Sequence, residues 1–239
     1  MSGGKDVAER AGNFDFEALR AASNYRQALL REFSPFLNGD VVEVGAGIGQ
    51  FSEVLLRSPK IRRLTCIEPD AEFCREHRRR VSGVMLIEGT AADLPTGTAA
   101  DAIVSVNVLE HIEQDQRELT AYAGLLKARG GVLCLFVPAR QEIYAPLDKD
   151  FGHFRRYSKA ALRERLARAG FEIARLNYFN FIGYFAWWFM FCFLRQRALK
   201  PSSVRLFDKF IFPIAHFTES NILRPPFGQS LLAIARART

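Results

Sequence analysis

The stretch Val41-Val42-Glu43-Val44-Gly45-Ala46-Gly47-Ile48-Gly49-Gln50-Phe51 decides the fold. An apolar run enters a glycine-rich turn, and an amphipathic segment follows. That order reads as a buried strand, a loop and the N-terminus of a helix. Glycines at 45, 47 and 49 either allow a positive φ or remove a Cβ that would hold a ligand away from the backbone. Taken alone, the loop also fits a plain strand-to-helix turn, so the flanking chain has to decide.

Upstream, 14–33 reads as a helix, with Phe16, Leu19, Tyr25, Leu29 and Leu30 at near-helical spacing. Ser34-Pro35 closes it, and Asn38-Gly39 turns the chain into the strand. Downstream, Phe51, Val54 and Leu55 mark a helix face that ends near Ser58-Pro59. Short apolar strands are expected at 64–68, 84–87, 102–108, 132–137, 171–179 and 230–235. Between them lie helices: one capped by Asp70 and running to 80, one opened by an Asp115/Glu118 capping box, and one from 158 to 169 stopped by Gly170. Apolar strands alternating with helices predict a doubly wound α/β domain, a mostly parallel sheet with helices on both faces. Ligands of such sheets sit at the carboxyl ends of the strands, where Gly45, Gly47, Gly49, Glu68, Asp93 and Asn107 fall.

The 239 residues suit one domain with a large core, and 49% hydrophobic with 25% charged residues excludes a disordered chain. Cys66, Cys74, Cys134 and Cys192 form no CxxC pair. Two of them lie inside strand-like runs, which suits reduced, core-filling thiols and neither a disulfide framework nor a metal site. Residues 1–12 lack an apolar h-region, so no signal peptide is expected and the reading is cytoplasmic. The net charge of +7 gathers at Arg75, Arg78, Arg79 and Arg80 and again at Arg195, Arg197, Lys200, Arg205 and Lys209. Such clusters suit nucleic acid, anionic lipid or phosphorylated acceptors, or simply a solvated helix face.

Position 50 is glutamine, so the loop lacks the third glycine of a dinucleotide G-x-G-x-x-G cradle. Glu68 is placed to accept from both ribose hydroxyls of a nucleoside. No arginine follows directly to welcome a 2′-phosphate. Asp93 is placed to accept from an adenine amino group, with Ala92 and Leu94 beside the ring. The implied ligand is an adenosine without a demand for phosphate contacts.

These residues carry a resemblance. Glu43-Val44-Gly45-Ala46-Gly47-Ile48-Gly49, Ile67-Glu68-Pro69-Asp70, Ala92-Asp93-Leu94-Pro95 and Asn107-Val108-Leu109-Glu110-His111-Ile112 resemble the successive motifs of class I S-adenosylmethionine-dependent methyltransferases, of the Rossmann-like, UbiG/UbiE-type small-molecule group. The resemblance covers roughly 38–180 plus the terminal strand. It implies a seven-stranded sheet with an antiparallel final hairpin and S-adenosyl-L-methionine as cofactor. It places Gly45 and Gly47 at the methionine portion, Glu68 at the ribose, Asp93 at the adenine and Asn107 near the methionine moiety or the methyl group, and it adds Glu43, Ala46, Gly49, Pro69, Ala92 and Leu94 to the cofactor-binding residues. A single methyltransferase domain is expected: a helical cap at 1–37, the core at 38–180 and 229–239, and an apolar helical insertion at 181–228.

Methyl transfer from a sulfonium is an in-line displacement, and a hydroxyl acceptor must also lose a proton, which suits histidine. His111 lies close to the expected methyl group, in either a catalytic or a loop-shaping role. His153 sits with Arg155, Arg156 and Tyr157 in a loop after the fifth strand, a composition suited to acceptor binding or to pinning by Arg–Asp pairs. The aromatic run 181–194 is short for a membrane span and suits an interfacial helix, a lid or a homodimer contact. The expected activity is therefore methylation, at oxygen, of a small-molecule or lipid-linked acceptor, with peripheral contact to the inner face of the membrane through 181–217. The rival readings are a nucleic-acid methyltransferase, for which no Asn/Asp-Pro-Pro-Tyr-like motif is present, and a noncatalytic S-adenosylmethionine-binding scaffold.

Overall fold

The apolar runs become strands in the computed structural model, which describes residues 20–222 and 225–238. They are β1 (Gly39–Val44), β2 (Ile61–Glu68), β3 (Met85–Glu88), β4 (Ala102–Val106), β5 (Val132–Pro138), β6 (Phe171–Phe179) and β7 (Ser230–Ala237). They form one sheet in the order β3-β2-β1-β4-β5-β7-β6. β1 pairs in parallel with β2 and β4, β2 with β3, and β4 with β5; only β7 runs antiparallel, against both β5 and β6. The chain thus reverses direction of build at β1/β4, which is where open α/β sheets hold their ligands.

Each face of the sheet carries its own core. On one side Val42, Val44, Ile103, Leu133 and Leu135 pack against Leu119, Tyr122 and Leu126 of helix Asp115–Lys127 and Leu162 and Leu166 of helix Lys159–Arg168. On the other, Val41, Cys66, Val104 and Cys134 pack against Leu29 and Phe33 of helix Ser23–Phe33 and Val54 and Leu55 of helix Ser52–Leu55. Burial on both faces explains why these strands read as continuous apolar runs.

The caps are as expected at Asp70, which accepts from the Glu72 and Phe73 amides, and at Ser158, which accepts from the Ala161 amide. The Asp115/Glu118 box is a correction. Helix Asp115–Lys127 follows Gln114 with no side-chain cap. Asp115 instead turns inward, takes a 2.9 Å bond from the Tyr157 hydroxyl, and pairs with Arg155 at 2.7 Å and Arg165 at 2.9 Å. Two guanidinium groups and a phenol satisfy a carboxylate more fully than one exposed amide does. Of the expected N-terminal helix, Phe16 and Leu19 lie outside the described residues.

Between β6 and β7 the chain forms two helical arms. Phe181–Trp187 continues as a π-helical turn to Phe193, and Pro201–Leu206 continues through a π turn into Phe212–Asn221. Their inner faces are tied down. Trp187 and Phe191 pack on Ile143 and Leu147, and the buried Asp208 caps helix Ser23–Phe33 from outside, accepting from the Asn24 and Tyr25 amides at 2.9 Å each. Among the described residues no helix is long and apolar enough to cross a membrane.

Candidate active site

Two glycines of the opening loop do different work. Gly45 (φ +73°) lies so close to Val108 that a Cβ would fall 2.2 Å from its Cγ2, so this glycine is required by packing. Gly47 (φ +54°) is different: a Cβ there would meet nothing within 4 Å, so its backbone borders open space at the strand ends. The Gly47 amide donates to Glu68 Oε2 at 2.8 Å, and the Asp70 amide donates to Oε1 at 3.0 Å. Each carboxylate oxygen keeps a second acceptor position for a ligand hydroxyl. Burial raises the Glu68 pKa, and the two backbone bonds work against that rise.

Asp93 ends a short turn in which the Thr90 amide and hydroxyl both donate to Oδ2, at 2.7 and 3.0 Å, holding its carboxyl below the usual range. Ala92 and Pro69 are exposed, Leu94 is half-buried, and Asn107 is exposed with φ +53° at the end of β4. Ala46 is buried, its amide bonded to the Ile67 carbonyl at 3.0 Å. The open edge at Gly47 flanked by the acids of β2 and β3 fits a nucleoside cofactor.

Glu43 is placed elsewhere. It lies in the core beneath the loop, accepting from Ser52 Oγ at 2.5 Å and from the Cys66 thiol at 3.5 Å. Ser52 Oγ also lies 3.0 Å from His77 Nε2, making a Glu43–Ser52–His77 chain whose His77 Nδ1 lacks a partner among the described residues. Burial pushes the Glu43 carboxyl up to about 7 and lowers the His77 pKa.

At the ends of β4 and β5 the fold brings together residues that are far apart in sequence. His111 closes the turn after β4, and its ring meets the His153 ring edge-on with centroids 4.7 Å apart. His153 Nδ1 lies 2.8 Å from Asp148 Oδ1; since a carboxylate only accepts, Nδ1 carries the proton. Its Nε2 then faces Glu110 Oε1 at 4.0 Å. Glu110 is fully buried, and neither of its carboxylate oxygens has a hydrogen-bond partner in any other described residue. Burial pushes its carboxyl up to about 7, against the pull of His153 and Arg156. Burial and the neighbouring His153 push His111 down to about 3, so its ring is neutral near pH 7. For Asp148 burial acts upward, but the His153 bond and the Arg156 charge prevail and keep it ionised.

The other acceptor candidates are engaged by their surroundings. Arg156 is buried, pairs with Asp148 at 2.9 Å, and stacks on the Trp187 ring at 4.5 Å. Tyr157 is buried with its hydroxyl on Asp115, and Arg155 donates to the Ile112 and Glu113 carbonyls besides pairing with Asp115. These three side chains take part in Arg–Asp pairing, and His153 is the member that meets His111 and Glu110. Sequence reading missed Glu110 and Asp148. Their signal was a carboxylate near a histidine in each segment, Glu110 next to His111 and Asp148 a helical turn before His153, which becomes meaningful only when the two segments meet.

A doubly wound sheet whose glycine loop and strand-end acids border one open edge defines a nucleoside-cofactor domain of Rossmann-like type. The chain belongs to the methyltransferase-domain family, whose model matches residues 17–176, and it is an S-adenosylmethionine-dependent methyltransferase. Solved structures share the fold. A Clostridium acetobutylicum S-adenosylmethionine-dependent methyltransferase aligns with TM-score 0.59 at 11% identity, over 91% of this chain and 92% of that one. A Haloferax volcanii methyltransferase solved with the Trm112 activator aligns with TM-score 0.59 at 18% identity, over 95% and 99%. The N-methyltransferase NodS of Bradyrhizobium japonicum, bound to S-adenosyl-L-homocysteine, aligns with TM-score 0.55 at 16% identity, over 89% and 85%. No curated protein sequence matches the chain.

Proposed function

We propose that this methyltransferase acts at the surface of an anionic membrane, from the cytoplasmic side, on a hydroxyl oxygen of a lipid-linked acceptor. The observation that carries the reading is the outer face of the two helical arms. Of the fifteen large hydrophobic side chains exposed among the described residues, twelve lie between Ile182 and Ile222, among them Phe193 at 65%, Ile214 at 72% and Phe217 at 62%. An apolar patch of that kind on a folded chain marks an interaction surface, and aromatic side chains bordered by arginine and lysine suit a bilayer interface. Arg195, Arg197, Lys200, Arg205 and Lys209 border the patch.

Bound S-adenosylmethionine supplies an electrophilic methyl group on a sulfonium. Glu68 holds the ribose hydroxyls, Asp93 the adenine amino group, and the Gly47 backbone admits the methionine portion. His153, oriented through Asp148 and Arg156, offers Nε2 to take the proton of an acceptor hydroxyl. The Arg156–Trp187 stack links that imidazole to the apolar arm, so the arm that meets lipid also buttresses the base.

The test is flotation of the full chain with phosphatidylglycerol-containing vesicles, paired with transfer of labelled methyl groups into membrane-lipid extracts. Binding to anionic but not neutral vesicles, with label in the lipid fraction, is expected. Label confined to water-soluble acceptors would overturn the acceptor reading, and a doubled mass in solution without flotation would place the patch between two copies.

A further inference from the structure

We propose that Glu110, His111 and His153 form a binding site for a divalent transition-metal ion of the zinc class. One donor atom from each lies within 4.8 Å of the other two, and His153 Nε2 and Glu110 Oε1 are 4.0 Å apart. Two ligands bound about 2.1 Å from a common ion stand at most roughly 4.2 Å apart, so small side-chain rotations bring all three into reach.

The decisive feature is what the cluster lacks. The fully buried Glu110 presents two carboxylate oxygens with no hydrogen-bond donor from any other described residue. Buried polar atoms without partners are rare, and each one calls for an explanation such as a bound ion. His153 Nε2 stands 4.0 Å from Glu110 Oε1, beyond hydrogen-bond reach, and its Nδ1 is committed to Asp148. Three metal-ligating side chains therefore converge at one point, with Glu110 bonded to neither histidine. A cation at their centre satisfies all of them at once.

The donor set also selects the ion. Two imidazoles and one carboxylate suit zinc, cobalt, nickel or iron better than magnesium or calcium, which favour oxygen donors. The surrounding bonds are those that fix a ligating histidine. Asp148 holds the His153 ring from its far nitrogen and is itself held by Arg156 and the Ala145 amide, while the Tyr144 hydroxyl donates to the His153 carbonyl at 2.6 Å. Three protein ligands leave a position in the ion's shell for water or an acceptor oxygen. The chemical consequence rests on the oxygen-acceptor reading and replaces the base assigned there: with His153 Nε2 on the ion, a hydroxyl held beside it becomes acidic enough to lose its proton to water near neutral pH.

Binding itself is tested with the metal alone. Tag-free full-length protein is stripped with chelator and titrated with Co²⁺, following visible absorption and the paramagnetically shifted proton spectrum. The expected result is one equivalent bound, displaced by Zn²⁺, with two shifted imidazole N–H signals in the wild-type protein. Glu110→Gln and His153→Asn each weaken Co²⁺ at least about 10-fold while keeping affinity for S-adenosylhomocysteine, which certifies the fold. Absence of stoichiometric Co²⁺ binding, or binding undiminished in both variants, overturns the site. If the chelated protein still labels lipid at full rate, the metal inference fails while the acceptor reading stands. If the stripped protein binds Co²⁺ normally but its Zn²⁺-loaded form leaves lipid unlabelled, the metal site stands and the acceptor reading fails.

Discussion

Two buried acid–histidine clusters occupy the same sheet and have opposite meanings. Glu43, under the glycine loop, and Glu110, after β4, are both pushed up to about 7 by burial, and each has a histidine nearby. Glu43 receives the Ser52 hydroxyl and the Cys66 thiol, and its histidine is reached through Ser52. Glu110 receives no bond from another described residue, and His153 Nε2 stands 4.0 Å from it. A shifted carboxyl therefore does not distinguish structure from chemistry. The hydrogen bonds to the carboxylate do: the Glu43 acid is engaged by Ser52 and Cys66, whereas the Glu110 acid is engaged by neither histidine beside it.

The sharpest way to break this comparison is to damage each histidine. His153→Asn is expected to lower the single-turnover rate of methyl transfer by roughly 10²–10⁴-fold, the usual worth of a proton-transfer group, with cofactor affinity unchanged. His77→Asn is expected to lower the melting temperature and leave the rate within a few-fold. Equal rate losses in both variants would erase the distinction.

Glu43 then tests its own cluster. Its folded pKa of about 7 stands above the ordinary 4.5. Below pH 4.5 the acid is protonated folded or unfolded, so it costs nothing. As pH rises from 4.5 to 7 the unfolded chain loses the proton while the folded chain keeps it, and stability falls. Above pH 7 the loss is complete, about 3 kcal/mol. Glu43→Gln does not titrate, so its advantage over wild type should grow across that window and then level off. A pH-independent offset in denaturant midpoints would contradict the assignment.

Much of this was legible in the chain. The seven strands were visible because burial on both faces makes a strand a short apolar run, and Asp70 and Ser158 declared their helices through local capping chemistry. The strand-end acids followed from the sheet rule alone. The Glu43 and Glu110 clusters were not legible. Glu43 reads as part of a ligand motif, and only the packing of Ser52, Cys66 and His77 shows that it faces the core. Glu110 and Asp148 each look like an ordinary loop acid until β4 and β5 bring their segments side by side. The Asp115 cap failed for the same reason, since Arg155 and Arg165 arrive from distant segments.

Gly47 carries the comparison to the cofactor edge, with a smaller effect. Its missing Cβ borders open space whereas that of Gly45 would strike Val108. Gly47→Ala should cost about 1 kcal/mol of stability from its positive φ and lower S-adenosylhomocysteine affinity about 10-fold or more by calorimetry. Gly45→Ala should show the reverse emphasis, with a larger fall in melting temperature. Unchanged cofactor affinity in Gly47→Ala would remove the loop from the binding edge.

The smallest expected effect on the folded chain separates the chemistry of the Glu110 cluster from the delivery of its acceptor. Ile214 is 72% exposed on the second arm, so Ile214→Asp removes no core contact and should change stability by no more than about 0.5 kcal/mol. A carboxylate at that position is costly to place in a bilayer interface and repels anionic headgroups. Flotation with phosphatidylglycerol vesicles should therefore fall sharply, while Co²⁺ binding at Glu110, His111 and His153 stays as in wild type. Loss of both together would show that the arm acts through the Trp187–Arg156–Asp148 contact, making it a support for the Glu110 cluster and not a landing surface.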